Sequence, residues 1–160
     1  MTERVHEATG FDLDTDQSRL DFDVIERWLA VESYWAKGRS RTVIARSLDN
    51  SLVYGLYTPH GAQVGLFRVV TDYATFAWLC DVYVDAAHRG HGLAEWALTL
   101  IRDDLQAAGV YRIMLATNDA HGLYARLGFA PMADPGKWME LNTRDGAGGL
   151  AVSGADALAG

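Results

Sequence analysis

The chain has 160 residues, 49% of them apolar, with one cysteine and a formal net charge of −7. That length suits one domain with a proper core, and the lone Cys80 excludes an internal disulfide and a multi-cysteine metal cluster. The acidic balance argues against non-specific nucleic-acid binding, which draws its affinity from Lys and Arg on phosphates, and through steering favours a cationic or neutral acceptor.

In chain order, Met1 to Glu7 carries no apolar signal core, and no apolar run approaches the ~20 residues that span a bilayer. The expectation is a cytoplasmic protein with no membrane and no nucleic-acid partner. Phe11 to Asp14 alternates and reads as a short edge strand. A helix is expected from Asp23, which can cap it with Glu26 three residues on. Val24, Trp28, Val31 and Trp35 share one face, Ile25 and Leu29 widen it, and Gly38 ends it. Ser40 or Thr42 can cap a second helix carrying Val43, Ile44 and Leu48. Three strands then follow at hairpin spacing: Leu52 to Tyr57, Val64 to Val70 and Thr75 to Val84, with turns at Pro59-His60-Gly61 and Asp72-Tyr73. A helix is expected from Leu93 to about Ala107, stopped by Gly109, and then a strand from Arg112 to Ala116. A strand, a crossing helix and a strand make a parallel pair. A short helix over His121–Leu127, capped by Gly128, precedes two segments that read as a closing strand pair, Phe129 to Met132 and Trp138 to Leu141. The fold class is α/β with a mixed, partly antiparallel sheet. Residues 1–141 read as one domain and 142–160 as a Gly/Ala-rich flexible tail, too poor in large side chains to bury much surface.

The chain is organised around Cys80 to Leu105. A strand-like run feeds Asp85-Ala86-Ala87-His88, then Arg89-Gly90-His91-Gly92-Leu93-Ala94, and then a helix with Leu93, Trp96, Ala97, Leu100, Ile101 and Leu105 on one face. The opening N–H groups of a helix lack internal partners and lie at its positive end. Glycines let the chain approach an anion closely. A dinucleotide fingerprint would need a third glycine where Glu95 stands, and an ATP-type loop would need Gly-Lys-Ser/Thr. Neither is present.

Arg89 to Ala94 resembles the coenzyme A pyrophosphate loop of the GNAT acetyltransferase superfamily, Gln/Arg-x-x-Gly-x-Gly/Ala, through Arg89, Gly92 and Ala94. Downstream, Leu123-Tyr124-Ala125-Arg126-Leu127-Gly128-Phe129 is similar to the family's Leu-Tyr-x-x-x-Gly-Phe. The resemblance covers roughly residues 40–141. It implies a GNAT-like sheet with a splayed pair of parallel strands, acetyl-CoA as acetyl donor with no metal, and direct transfer to a small primary amine in a ternary complex. It further implies main-chain coenzyme contacts from Val82, Tyr83 and Val84, with the N–H near Val82 polarising the thioester carbonyl. Arg89, Gly90, His91, Gly92, Leu93 and Ala94 would hold the pyrophosphate, His91 through its backbone alone.

The resemblance also implies that Tyr124 hands a proton to the departing thiolate. A phenol with an ordinary pKa near 10 can do so. The resemblance makes Asp81 the base or acceptor-contact candidate, because many relatives carry an acid just before this point in the central strand. A carboxylate inside an apolar strand also needs a reason, which could equally be hydrogen bonds to backbone groups or orienting the amine without taking a proton. His121 is a second candidate near the acceptor. Arg126 could reach coenzyme phosphates. The asparagine usual seven residues before the tyrosine is replaced by Thr117, with Asn118 beside it as a coenzyme contact. Tyr34, Trp35, Arg39 and Trp78 could line the acceptor side, and Cys80 reads as a buried strand cysteine. Other readings are a non-catalytic acyl-CoA-binding module, or a transferase acting on protein lysines or N-termini. A homodimer is common among relatives.

Overall fold

The computed structural model describes residues 4–144. The chain divides into one unit through Leu127 and a second from Gly128.

The first unit is built on a six-stranded sheet in sequence order: β1 (Arg4–Val5), β2 (Asp12–Asp14), β3 (Leu52–Tyr57), β4 (Gln63–Thr71), β5 (Ala77–Val84) and β6 (Ile113–Met114). Only β5 and β6 pair in parallel; the other neighbours are antiparallel. The mixed α/β class read from the sequence is the one observed. Two details differ. The segment expected at the edge, β2, lies inside the sheet, because Arg4 and Val5 pair with Leu13 and Asp12. Strand β5 begins at Ala77 rather than Thr75, because the Asp72 carboxylate accepts from the N–H groups of Ala74, Thr75 and Phe76 at 2.8–3.1 Å and ties them into a turn.

The first helix departs further from expectation. Its N-cap is Asp21, which accepts from the Val24 N–H at 3.1 Å, rather than Asp23. Helix α1 (Phe22–Glu26) widens into a π-helical turn, Arg27–Glu32, and stops. Ser33 is the physical reason. Its hydroxyl donates to the Leu29 carbonyl at 2.7 Å and accepts from Ala36 N–H at 3.1 Å, so a side chain takes over where helix bonds would run. Ile25, Trp28 and Leu29 are fully buried, whereas Val31 is exposed. The segment bearing Tyr34, Trp35 and Arg39 is thereby a loop. Ser40 caps α2 (Arg41–Asp49), accepting from Val43 N–H, and Ile44 and Leu48 point inward.

Val53, Leu66 and Tyr83 meet Ile25, Trp28, Leu29, Ile44 and Leu48 in one apolar cluster, so α1 and α2 cover one sheet face. Strand side chains alternate between faces. Tyr54, next to Val53, therefore points to the opposite face, where its hydroxyl meets Asp104 of α3 (Leu93–Ala107). Helix α3 buries Leu93, Ala97, Leu98, Ile101 and Leu105. Helix α4 (His121–Arg126) ends at Arg126, one residue earlier than read, with Leu127 rather than Gly128 as its cap.

In the second unit, the expected closing strands are absent. Residues 129–134 and 138–144 have no regular structure, with one 3₁₀ turn at Pro135–Lys137 between them. Pro131 and Pro135 lack the N–H donors that a ladder requires. Of the stretch read as a tail, residues 145–160 lie outside the described residues. Among the described residues, no helix is long and apolar enough to cross a membrane.

Candidate active site

The turn between β5 and α3 has the geometry of an anion cradle. Gly90 and Gly92 adopt φ of +80° and +75°, which other L-residues adopt only at a cost. A Cβ built on either glycine meets nothing within 4 Å, so the space in front of the turn is open. The first amide to find a helical carbonyl is Trp96, on Gly92 at 3.0 Å. The amides of Leu93, Ala94 and Glu95 precede it, and the positive end of α3 opens onto the same space. Arg89 is anchored by its Nε–H, which donates to the Val84 carbonyl at 2.7 Å, and its guanidinium lies over the Tyr83 ring. The Val84 carbonyl thus already has a partner. Tyr83 itself is a core residue: its ring stacks on Trp28 and its hydroxyl donates to Glu32.

Strands β5 and β6 pair at Ala77–Ile113 and Trp78–Met114, and β5 then continues to Val84 against β4 alone. Beyond that point the β6-side backbone of β5 has no strand partner among the described residues. An extended ligand can pair with such a free edge.

A bulge lies at the same place. Leu66 faces Tyr83 and Arg68 faces Cys80, so β5 carries one residue more than β4 across this span. Asp81 sits there at φ +47°, in the left-handed region. Bulges bend a strand and re-aim its side chains. The Asp81 side chain is 1% exposed, and both its oxygens are occupied. The Trp35 indole N–H donates to Oδ1 at 3.0 Å, while Arg39 and Arg68 donate to Oδ2 at 2.8 and 2.7 Å. Burial raises its pKa, but the Arg68 and Arg39 guanidiniums outweigh that and hold it below its ordinary value. A carboxylate so held is a weak proton acceptor.

Tyr124 is 8% exposed on α4. Burial, reinforced by Tyr34 and Asp119, pushes its pKa up to about 12, so it keeps its proton at neutral pH. Tyr34 packs edge-on against Trp35 with ring centroids 5.0 Å apart, and its hydroxyl accepts from the Asn118 N–H at 3.2 Å. The loop at 33–39 thus touches the bulge in β5 through Trp35 and Arg39, and the segment leading into α4 through Tyr34.

The other expected site residues are placed as follows. Thr117 uses its hydroxyl on the Ala120 N–H at 3.1 Å and the Asp119 N–H at 3.4 Å, ordering the start of α4. His91 is exposed in the glycine turn, and His121 is exposed as the first residue of α4. Trp78 is half-buried on β5. Arg126 gives Nε and Nη2 to Glu95 at 3.0 Å and Nη1 to the Gly122 carbonyl, so its guanidinium neutralises the acid in the first turn of α3. Burial pushes the Cys80 thiol up to about 11, which leaves it protonated. Among the described residues, no group of three or more His, Cys, Asp or Glu could hold a metal ion. Arg68 was missed. Its signal was present in the sequence: it is a charge at an inward position of the apolar strand Val64–Val70, on the same face as Leu66.

A mixed sheet whose one parallel pair is short and a glycine turn opening onto a helix N-terminus define an α/β domain of the acetyltransferase fold class. The chain belongs to the acetyltransferase (GNAT) family, whose model matches residues 22–129. It is 30% identical over 131 residues to a Gibberella zeae protein whose name assigns it provisionally to the acetyltransferases, covering 70% of this chain and 74% of that one. It is 42% identical to a Xanthomonas campestris protein of known structure, assigned provisionally to the same family, with a TM-score of 0.77 over 82% of this chain and 92% of that one. Rv2747 of Mycobacterium tuberculosis, solved in complex with CoA, shares the fold at 15% identity and TM-score 0.63, over 75% of this chain and 72% of that one.

Proposed function

We propose that this chain is an N-acetyltransferase that moves an acetyl group from acetyl-CoA to the primary amine of a small molecule, directly and within a ternary complex. The observation that carries the reading is Tyr124. It is a buried phenol on α4, protonated at neutral pH, at the position the resemblance gives to the proton donor.

The residues fit the coenzyme. The open space before Gly90 and Gly92 and the amides of Leu93 and Ala94 suit a pyrophosphate, as do the terminal nitrogens of Arg89. The free edge of β5 at Val82 suits an extended pantetheine arm, and its N–H is the candidate donor to the carbonyl as charge develops there. When bound, acetyl-CoA supplies the activated acetyl thioester. Tyr124 holds the proton that the leaving sulfur needs. Arg126 offsets Glu95 close to where the phosphates would lie. Asp81 acts by fixing Arg39, Arg68 and Trp35 rather than as a base, because its oxygens already accept three hydrogen bonds.

The test is a calorimetric titration with acetyl-CoA and with CoA, followed by a screen of small primary amines for thiol release. Saturable binding near one per chain together with turnover supports the proposal. Binding without turnover on any amine would leave a coenzyme-binding module, and turnover on peptide amines alone would point to a protein acetyltransferase. No binding up to millimolar coenzyme would remove the glycine turn as its site.

A further inference from the structure

The cluster around Asp81 holds more positive charge than Asp81 requires. Arg39 and Arg68 both pair with this one carboxylate, at 2.8 and 2.7 Å. Arg39 uses a single Nη for it, while Arg68 uses Nε, with Nη1 donating to the Ser51 hydroxyl at 3.1 Å. A guanidinium carries five N–H donors. Each arginine therefore keeps donors that have no protein partner among the described residues. The two side chains are 19% and 13% exposed, so they are largely withdrawn from water yet still reachable. Withdrawing a charge from water is costly unless it is paired. One arginine would neutralise Asp81, and the second is left over.

We infer that the surplus charge at Arg39 and Arg68 receives a carboxylate of the acceptor, which makes the acceptor amine an amino acid or a related amino carboxylate. The inference rests on the acetyltransferase reading above and names the acceptor for the same site. One uncompensated positive charge matches one carboxylate, whereas a phosphomonoester would bring close to two negative charges. The planar guanidinium fork also suits a carboxylate. Trp35 links the arginines to the approach to α4: it donates to Asp81 on one side and packs on Tyr34 on the other, and the Tyr34 hydroxyl accepts from the Asn118 N–H three residues before α4 begins. With its carboxylate on the arginines, the acceptor can extend its amine past Trp35 and Tyr34 toward Tyr124 of that helix. The amine nitrogen then gains a C–N bond to the acetyl carbon as the C–S bond breaks, the nitrogen giving up one proton and the sulfur receiving one. The net charge of −7 steers cations at long range, but contact within the site is decided over less than a Debye length of about 8 Å.

The test compares alanine, leucine, glutamine and phenylalanine with their carboxamides at saturating acetyl-CoA. Each amide keeps the α-amine and loses the anion. The expected result is at least about a tenfold advantage of acid over amide in kcat/KM for the best pair, mostly in KM, as hydrogen bonds to a charged group imply. Arg39→Gln should shrink that ratio to below about threefold, and Arg39→Lys, which keeps the charge without the fork, should give an intermediate ratio. The wild-type comparison stands even if a variant fails to fold. A second assay needs no turnover: calorimetry of the CoA-saturated protein with N-acetylphenylalanine and with its amide. Preference for the acid there, without turnover of any amine, would keep the anion site and defeat the transferase reading. Amides turned over as well as acids would overturn the anion site and keep the transferase. Absence of any acid preference in both assays would likewise overturn it.

Discussion

Tyr124 is a phenol that carries its proton at neutral pH, all the more so because burial raises its pKa, and it gives the clearest single-residue experiment. Tyr124→Phe removes the proton and little else, so kcat should fall by about 100-fold while acetyl-CoA affinity stays within about twofold. Unchanged turnover would take Tyr124 out of the mechanism. Asp81 allows a different test. Asp81→Asn leaves two arginines facing a neutral side chain, and unpairing a buried ion pair costs about 3 kcal/mol, measurable by urea unfolding. Its folded pKa lies below the ordinary 3.8, so its ion pairs contribute stability above pH 3.8 that is lost as pH falls below that value. The variant should therefore lose less stability than wild type on acidification below pH 3.8. If Asp81 fixes the arginines rather than accepting a proton, the pH–rate profile of Asp81→Asn should keep its shape while activity drops; a lost acidic limb would make it the base.

At the scale of elements, the turn into α3 and the stop after α1 do the positioning. Gly92 at φ +75° opens α3, so Gly92→Ala should cost about 1 kcal/mol of stability. Gly92→Glu adds a charge at the cradle and should weaken acetyl-CoA binding as well, as should Arg89→Ala. Unchanged affinity in both would mean that the turn is a helix start and nothing more. Asp21→Ala is the contrast, because loss of the α1 cap should cost about 1 kcal/mol and move coenzyme affinity little. The early stop at Ser33 has a functional consequence. A helix continuing to Gly38 would hold Trp35 and Arg39 on regular helical faces; the loop instead brings both to Asp81.

For the whole molecule, acetyl-CoA binding should be readable as stability. A ligand bound only by the folded chain at 100 times its Kd adds about 2.7 kcal/mol, which is about 5–10 °C in Tm for a chain of this size. Arg89→Ala should lose most of that shift at the same coenzyme concentration. An undiminished shift would place the phosphates elsewhere.

The candidate tyrosine came from the resemblance to the family's Leu-Tyr-x-x-x-Gly-Phe, whereas the sequence by itself determined the sheet meander, the α3 helix over Leu93–Ala107 and the glycine turn. These rest on local periodicity and turn chemistry, which neighbours in sequence decide. It misplaced the α1 cap and the helix end, because the choice between Asp21 and Asp23 and the bonds of Ser33 depend on packing. It read a closing strand pair where Pro131 and Pro135 interrupt, since alternation alone does not supply a partner strand. The Asp81 cluster was only half legible. A carboxylate in an apolar strand could be flagged, but its partners lie 13 to 46 residues away, and only the fold brings them together. Only the tertiary structure forms the bulge in β5 and sets Arg39 and Arg68 on Asp81, because these residues come from separate elements that sequence neighbours do not bring together.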